Sequence, residues 1–219
     1  MAYLDDFCDN TLLFLQQNIV YVILNKETNG LTEVVVEPRA GTTIDNIAAG
    51  VANGIVAGGV YKMRTRQPTD ARGLPAYFCG YEQNKTIPLT LKNGAFWMFT
   101  VTMDGCTFGV GSQARGNLGS VRVAHANNAS QASPDISISS GDNSVTGRPA
   151  QQHIQAMLAT SHVGHGGFLI EPDSYMGGDY SMKATTFGYH APMDIWTFKS
   201  LSYRMGGGTW HHGGINDYI

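Results

Sequence analysis

Short strand-like runs of apolar residues dominate the hydrophobic pattern of this chain. Residues 19–24 form one such run, and the turn signal from Glu27 to Gly30 predicts a hairpin that pairs this run with residues 31–37. Residues 97–102 are rich in β-branched and aromatic side chains, which predicts a central strand. The remaining predicted strands lie at residues 76–81, 121–125, 168–170 and 196–203.

Three stretches show the three- and four-residue spacing of apolar side chains that is typical of a helix lying on a core. The first opens the chain, the second begins at residues 42–45, and the third begins near Pro149, which suits a first helical turn. The predicted buried positions are Leu4, Cys8, Leu12 and Leu15 in the first helix, Ile44, Ile47, Val51 and Ile55 in the second, and Ile154, Met157 and Leu158 in the third.

Polar and glycine-rich segments separate these elements. Residues 62–75 combine basic side chains with proline and glycine, which predicts a solvated loop and leaves a docking loop for an acidic protein surface as an alternative. Residues 127–147 predict a long surface loop or a marginal strand. The tail at residues 205–219 is expected to be mobile unless it docks. The pattern contains no internal repeat or domain linker, so we expect one domain over residues 1–219.

The composition of the 219-residue chain favours a sheet-rich, loop-rich fold over a helical bundle, because only 14% of its residues are charged and 27 are glycine. The formal net charge of −3 gives no basic surface for nucleic acid. No apolar run is long enough for membrane insertion, and no Sec-type signal peptide is visible. Three widely spaced cysteines do not indicate a disulfide scaffold, so a reducing cytosol is expected.

Two of the strand-like runs lead to a cysteine and a histidine, the two side chains that a cysteine-nucleophile enzyme needs. The first run ends in the turn dipeptide Asp104-Gly105, which is followed by Cys106. The second run delivers His125, 19 residues after the cysteine and on the same face as the valines of that strand. The tight corner predicts an exposed thiol, with the backbone N–H groups of Gly105 and Cys106 as candidates for an oxyanion hole.

Other interpretations of these residues stay open. A cysteine is most often a small buried hydrophobic group, and an inward histidine is most often a hydrogen-bonded structural residue. Cys8 lies on an apolar stripe and Cys79 lies among aromatic residues, so both are interpreted as structural. The pairs His162–His165 and His211–His212 lack the pattern of a zinc site, so we expect no metal. The glycine-rich segment at residues 109–112 lacks the lysine of a phosphate loop.

The segment from Thr100 to His125 resembles the catalytic region of bacterial glutamine deamidases. This group includes cytotoxic necrotizing factor, Burkholderia lethal factor and the chemoreceptor deamidase. The shared features are a threonine six residues before the cysteine, a glycine directly before it and a histidine downstream on a strand. The sequence here departs from the family's common Leu-Ser-Gly-Cys at Asp104, whose carboxylate disfavours ionisation of the thiol unless it points away.

The resemblance implies an α+β fold with a mixed or antiparallel β-sandwich core that is flanked by helices. It also implies that Cys106 attacks the side-chain amide of a glutamine, that His125 serves as base, and that Thr100 orients the imidazole through its hydroxyl or its carbonyl. Thr102 is the fallback for that orienting role. A transglutaminase, a cysteine protease with the same dyad and a non-catalytic binding module remain alternative interpretations.

A deamidase of this kind would be a bacterial toxin or effector that acts on a host protein. We expect it to be made in the bacterial cytoplasm and then secreted or injected into the host cytosol. We also expect a monomer that needs no cofactor, does not bind nucleic acid and does not insert into a membrane.

Overall fold

The computed structural model describes most of the chain as a mixed α/β structure in which strands outnumber helices. The described residues are 2–23, 29–39, 43–46, 58–112, 120–128, 137–140, 143–146, 148–179, 181–191, 195–206 and 209–218.

Four helices and fifteen strands lie within these ranges. The helices are α1 (Ala2–Asp9), α2 (Thr11–Gln17), α3 (Arg148–Val163) and α4 (Pro172–Met176). The strands are β1 (Ile19–Val22), β2 (Gly30–Pro38), β3 (Thr43–Asn46), β4 (Val60–Thr65), β5 (Leu74–Cys79), β6 (Thr86–Leu91), β7 (Trp97–Thr100), β8 (Thr107–Val110), β9 (Val121–Ala126), β10 (Ser137–Ser140), β11 (Asn143–Thr146), β12 (Phe168–Ile170), β13 (Lys183–Ala191), β14 (Ile195–Gly206) and β15 (Thr209–Asp217).

Nine strands form one large mixed sheet in the order β1-β4-β2-β5-β7-β13-β14-β15-β3. The pairings β1–β4, β5–β7 and β15–β3 are parallel, and the others are antiparallel. The sheet curls so that edge strand β1 reaches its far half: the Thr185 hydroxyl donates to the Val20 carbonyl at 2.8 Å, and the Tyr21 and Trp210 rings lie 5.1 Å apart. The large sheet is therefore partly barrel-like.

A smaller sheet contains His125 and begins directly after Cys106. Its strands run antiparallel in the order β12-β8-β9-β6. Helix α3 covers one face, where a Cβ built on Gly109 would lie 3.1 Å from Ala159. The other face meets the large sheet in the second core, which contains Tyr77, Cys79, Met98, Met103, Cys106, Phe108, Val110, Val121, Val123, Tyr175, Trp196 and Phe198.

Helices α1 and α2 pack on the opposite face of the large sheet and form the first core. Central strand β5 serves both cores by alternation, because Ala76 and Phe78 face the first core whereas Tyr77 and Cys79 face the second. Central strand β7 alternates in the same way. The predicted mixed sheets with flanking helices are confirmed, but a β-sandwich is not, because the large sheet is partly barrel-like. None of the described helices is long and apolar enough to cross a membrane.

The predicted hairpin between residues 19–24 and 31–37 is wrong. Strand β4 lies between β1 and β2 and pairs with both. A turn signal favours a local reversal but does not decide which strand completes the ladder. Here the cross-strand charges favour β4 as the partner of β2, since Lys62 and Arg64 contact Glu37 at 3.1 and 2.9 Å.

The predicted start of the second helix is also wrong. Residues 43–46 form strand β3, which pairs in parallel with β15. The β-branched side chains of Thr43 and Ile44 suit this strand, and the free edge of β15 supplies the backbone partners. Residues 47–57, on which the rest of that helix was predicted, lie outside the described residues.

The third helix is confirmed, but its predicted buried face is wrong. Met157 and Leu158 are 61% and 37% exposed, and Ile154 is only partly buried. The side chains that face the sheet are smaller or polar, because the glycines of β8 and its extension allow the helix to approach closely. The buried positions are Ala150, Gln155, Ala159 and Val163.

The polar segments contain more structure than their composition predicts. Residues 60–65 and 74–79 belong to β4 and β5, and the cations of Arg64 and Arg66 pair with Asp70 and Glu33. Residues 137–140 and 143–146 pair as a short hairpin. The predicted mobile tail docks instead, because β15 pairs along β14.

Candidate active site

Cys106 and His125 lie together at one end of β8 and β9. Thr107 pairs with Ala126 and Phe108 pairs with His125, so Cys106 occupies the position diagonal to His125 across the antiparallel ladder. Such diagonal residues lie roughly 7–8 Å apart or less at their Cβ atoms. No hydrogen bond joins the Cys106 sulfur to the His125 ring within the described part of the chain. The structure thus makes the two residues neighbours without direct bonding.

The His125 ring is held by a backbone carbonyl. Its Nδ1 lies 3.1 Å from the carbonyl oxygen of Gly80, and because a carbonyl only accepts hydrogen bonds, Nδ1 must carry the proton. Nε2 is buried and has no hydrogen-bond partner among the described residues. This tautomer leaves the lone pair on Nε2, as a general base requires.

The surroundings of His125 keep its imidazole neutral at physiological pH. The side chain is 1% exposed, and its ring lies 5.9 Å from the Tyr81 ring and 6.4 Å from the Phe108 ring. Burial lowers the pKa of His125 to about 4, although hydrogen bonds to the backbone at Gly80 and Cys79 act in the opposite direction.

The Cys106 sulfur accepts hydrogen bonds from two N–H donors. The side-chain Nδ2 of Asn127 donates to Sγ at 3.3 Å, and the backbone N–H of Asp104 also donates to it. Donors of this kind stabilise the thiolate form.

The prediction of an exposed thiol at the corner is wrong, because Cys106 is only 2% exposed. The turn lies at the surface, but its next side chain points inward to the second core. Burial therefore raises the pKa of the Cys106 thiol, the N–H donors of Asn127 and Asp104 lower it, and the Asp104 carboxylate raises it further. The thiol is neutral in this closed arrangement.

The Asp104 carboxylate pairs with a lysine. Its side chain is 57% exposed, and Oδ2 lies 2.7 Å from Nζ of Lys183. This pairing partly neutralises the charge next to Cys106, so Asp104 is the smallest of the influences on the pKa of the thiol.

Thr100 does not orient the imidazole through its hydroxyl. That hydroxyl donates to the Thr186 carbonyl at 3.3 Å and accepts from the Thr186 N–H at 3.2 Å. Both bonds join β7 to β13 inside the large sheet. The carbonyl of Gly80, which directly follows the Cys79 that pairs with Thr100, is the group that bonds the His125 ring. The fallback residue Thr102 bonds to Val22 and Tyr203.

The Tyr175 hydroxyl interacts with both predicted oxyanion donors. Gly105 has a φ of +81°, which explains the glycine at this corner. Its N–H donates to the Tyr175 hydroxyl at 3.1 Å, and that hydroxyl donates to the Cys106 carbonyl at 2.9 Å. The Gly105 N–H is therefore occupied. The Cys106 N–H also interacts with the Tyr175 hydroxyl and lowers the pKa of that group, so one hydroxyl engages both candidate donors.

Three contributors to the site were missed by sequence reasoning. Asn127 follows His125 by two residues, so strand alternation placed it on the same face and could have identified it. Gly80 and Tyr175 come from distant segments, and no local pattern connects them to the cysteine.

The structure gives no support for a metal site in the part of the chain that it describes. No cluster of three or more metal-binding side chains occurs there. His212, one of the sequence candidates, accepts a hydrogen bond at Nδ1 from the Gly214 N–H at 3.0 Å.

The sequence matches no model of a known protein family, and a search of curated proteins found no relative with significant similarity. The resemblance to glutamine deamidases therefore rests on the local motif from Thr100 to His125.

Proposed function

We propose that this protein is a thiol-dependent glutamine deamidase that acts on a host protein, with Cys106 as nucleophile and His125 as general base. The β-sandwich flanked by helices that the resemblance implies is part of this proposal. The second core between the two sheets, with α3 on the outside of the small sheet, supports that architecture.

The proposal depends on how Cys106 and His125 are arranged. The two residues occupy diagonal positions of one ladder, and the sulfur accepts hydrogen bonds from N–H donors. Nε2 of His125 is buried without a partner among the described residues, and it is the nitrogen that a base would use. This combination matches the requirements of nucleophilic catalysis by a thiol.

The reaction would begin with both groups neutral. As the sulfur of Cys106 attacks the side-chain amide carbon of a glutamine, Nε2 of His125 takes the thiol proton. The N–H groups of Gly105 and Cys106, released from the Tyr175 hydroxyl as the substrate binds, stabilise the developing oxyanion. The imidazolium then protonates the departing amine, so that ammonia leaves and a thioester remains. Water, deprotonated by His125, hydrolyses the thioester to glutamate and restores the thiol.

Access to the thiol would require a local opening, and Tyr81 is the described residue best placed to provide it. Its half-buried ring contacts His125, and the pKa of its hydroxyl is raised by burial and then by the nearby charges of Cys106 and Asp104. Displacement of this ring by a substrate would uncover the His125 side of the site. Catalytic hydrogen bonds are often long before substrate binds.

The test is a comparison of treated host-cell lysates. Wild-type protein and the Cys106→Ser and His125→Ala variants are incubated with the lysate, and peptide masses are searched for glutamine-to-glutamate conversion. A specific glutamine should be converted only by the wild-type protein, with ammonia release. Identical conversion in all three samples would contradict the proposal. Added primary amine that becomes linked to the same glutamine would identify transglutaminase activity.

A second candidate is a non-catalytic binding module, which the 2% exposure of Cys106 favours. Its raised thiol pKa and the absence of a bond to His125 in the described structure are both compatible with an inert core residue. In that case, wild-type protein and Cys106→Ser would give the same peptide masses in the lysate and would bind the same partner equally well. The two candidates are therefore separated by the same lysate experiment.

A further inference from the structure

We propose that Asn127 is a catalytic residue whose amide stabilises the Cys106 thiolate, a role that rests on the proposed function. Asn127 is 5% exposed, and its Nδ2 contacts the reacting sulfur at 3.3 Å. It is the only side chain of the described residues that donates a hydrogen bond to that sulfur.

The surrounding backbone fixes the orientation of the amide. The Asn84 N–H donates to Oδ1 of Asn127 at 3.1 Å, and the Asn127 N–H donates to the Lys85 carbonyl at 3.0 Å. Because Oδ1 must accept from a backbone N–H, the other end of the amide is Nδ2, and it is this donor that faces the sulfur. The assignment of the two amide atoms therefore follows from the hydrogen-bond network.

The turn that supplies this anchor has an unusual backbone. Asn84 has a φ of 60°, the only positive value for a non-glycine residue in the described chain. Asparagine tolerates this left-handed conformation better than most residues. The conformation directs the Asn84 N–H to Asn127, so the turn from Glu82 to Lys85 holds the amide in place from outside the small sheet.

The Asn127 amide counteracts the effect of burial, which disfavours the thiolate form of Cys106. Burial raises the pKa of the thiol, and the Asn127 hydrogen bond is the largest influence in the opposite direction. Hydrogen bonds to a charged group are stronger than those to a neutral one, so the Asn127 contact should strengthen as the sulfur becomes negative. An amide that is fixed beforehand needs no reorganisation at that moment.

The experiment measures the pH dependence of Cys106 alkylation by iodoacetamide, with labelled peptides resolved by mass. In Asn127→Asp, a carboxylate of nearly the same shape replaces the donor. The pH at which the Cys106 alkylation rate is half of its maximum, here called the midpoint, should therefore rise. The labelling rate at neutral pH should fall about tenfold or more, since one pKa unit changes the thiolate fraction tenfold. Asn127→Ala should shift the midpoint in the same direction by less.

Asn128→Ala is the matched control, because Asn128 is adjacent and 8% exposed. It should leave the Cys106 midpoint unchanged. An unchanged midpoint in both Asn127 variants, with the fold intact by circular dichroism, would overturn the role of Asn127. If glutamine conversion by the wild-type protein is absent but the midpoint still moves, the deamidase proposal fails while the effect of Asn127 on the thiol stands. If conversion is present but insensitive to Asn127, only the present inference fails.

Discussion

Cys79 and Cys106 are both buried in the second core, yet their sulfur atoms have different surroundings. The Cys79 thiol donates to the Ile87 carbonyl at 3.5 Å, burial raises its pKa to about 12, and the His125 backbone N–H acts in the opposite direction. The Cys106 sulfur also accepts from a backbone N–H, but it has in addition a side-chain amide donor and lies beside a histidine with a free Nε2. Burial alone therefore does not separate a structural thiol from a candidate nucleophile. The side-chain donor and the neighbouring free Nε2 do.

The largest expected effect is the loss of activity on removal of the candidate pair. His125→Ala should lower the rate of glutamine conversion about 10²–10⁴-fold, the usual contribution of a positioned general base. Cys106→Ser should abolish conversion altogether. Cys79→Ser, measured with the same substrate, should retain most of the activity because Cys79 contacts His125 through backbone groups that this substitution keeps. Equal losses in the Cys79 and Cys106 variants would remove the functional distinction between the two thiols.

The second expected effect concerns stability at acid pH. The pKa of His125 is lowered from 6.5 to about 4, so the unfolded chain binds a proton in this window that the folded protein does not. Stability should therefore fall as pH decreases from 6.5 to 4, by about 3 kcal/mol from this group. Urea unfolding of wild type and His125→Gln at several pH values measures the difference. Parallel pH profiles would show that folding does not lower the pKa of His125.

The smallest expected effect comes from the residue that departs from the deamidase motif. The Asp104 carboxylate raises the pKa of the Cys106 thiol, but it is exposed and paired with Lys183. Asp104→Asn should increase the rate of Cys106 alkylation at neutral pH by about two- to threefold, in keeping with weak interactions between exposed charges. The Cys79 rate is the internal reference and should not change. Slower labelling of Cys106 would show that the Asp104 carboxylate does not raise the pKa of the thiol.

Sequence patterns predicted elements better than their pairing. The central strand at residues 97–100 and the helix at 148–163 were confirmed because both have strong local signals. The hairpin of β1 with β2 was wrong because β4 is inserted between them, and this choice depends on charges from a later segment. The exposure of Met157 could not be predicted from the helix alone either. Which side chains of α3 face the sheet depends on the close approach that the glycine of β8 allows.

For the candidate site too, local features were predictable from the sequence, whereas contacts between distant segments were not. Alternation along β9 correctly predicted the inward face of His125, and the chain bends at Asp104-Gly105, where Gly105 has a φ of +81°. The orienting carbonyl of Gly80 and the hydroxyl of Tyr175 arrive from other parts of the fold. Backbone groups leave no trace in the identity of a residue, so the carbonyl that bonds the His125 ring could not be identified from the sequence.

The most direct test of the central claim is the relative alkylation rate of the three cysteines in the folded wild-type protein. Cys8 is the most accessible of them, whereas Cys79 and Cys106 are buried. A nucleophile poised beside a base should react fastest despite its burial, so Cys106 should be labelled by iodoacetamide before Cys8 near neutral pH, and the advantage should disappear in His125→Gln. Labelling that follows exposure alone, with Cys8 first and Cys106 as slow as Cys79, would contradict the account.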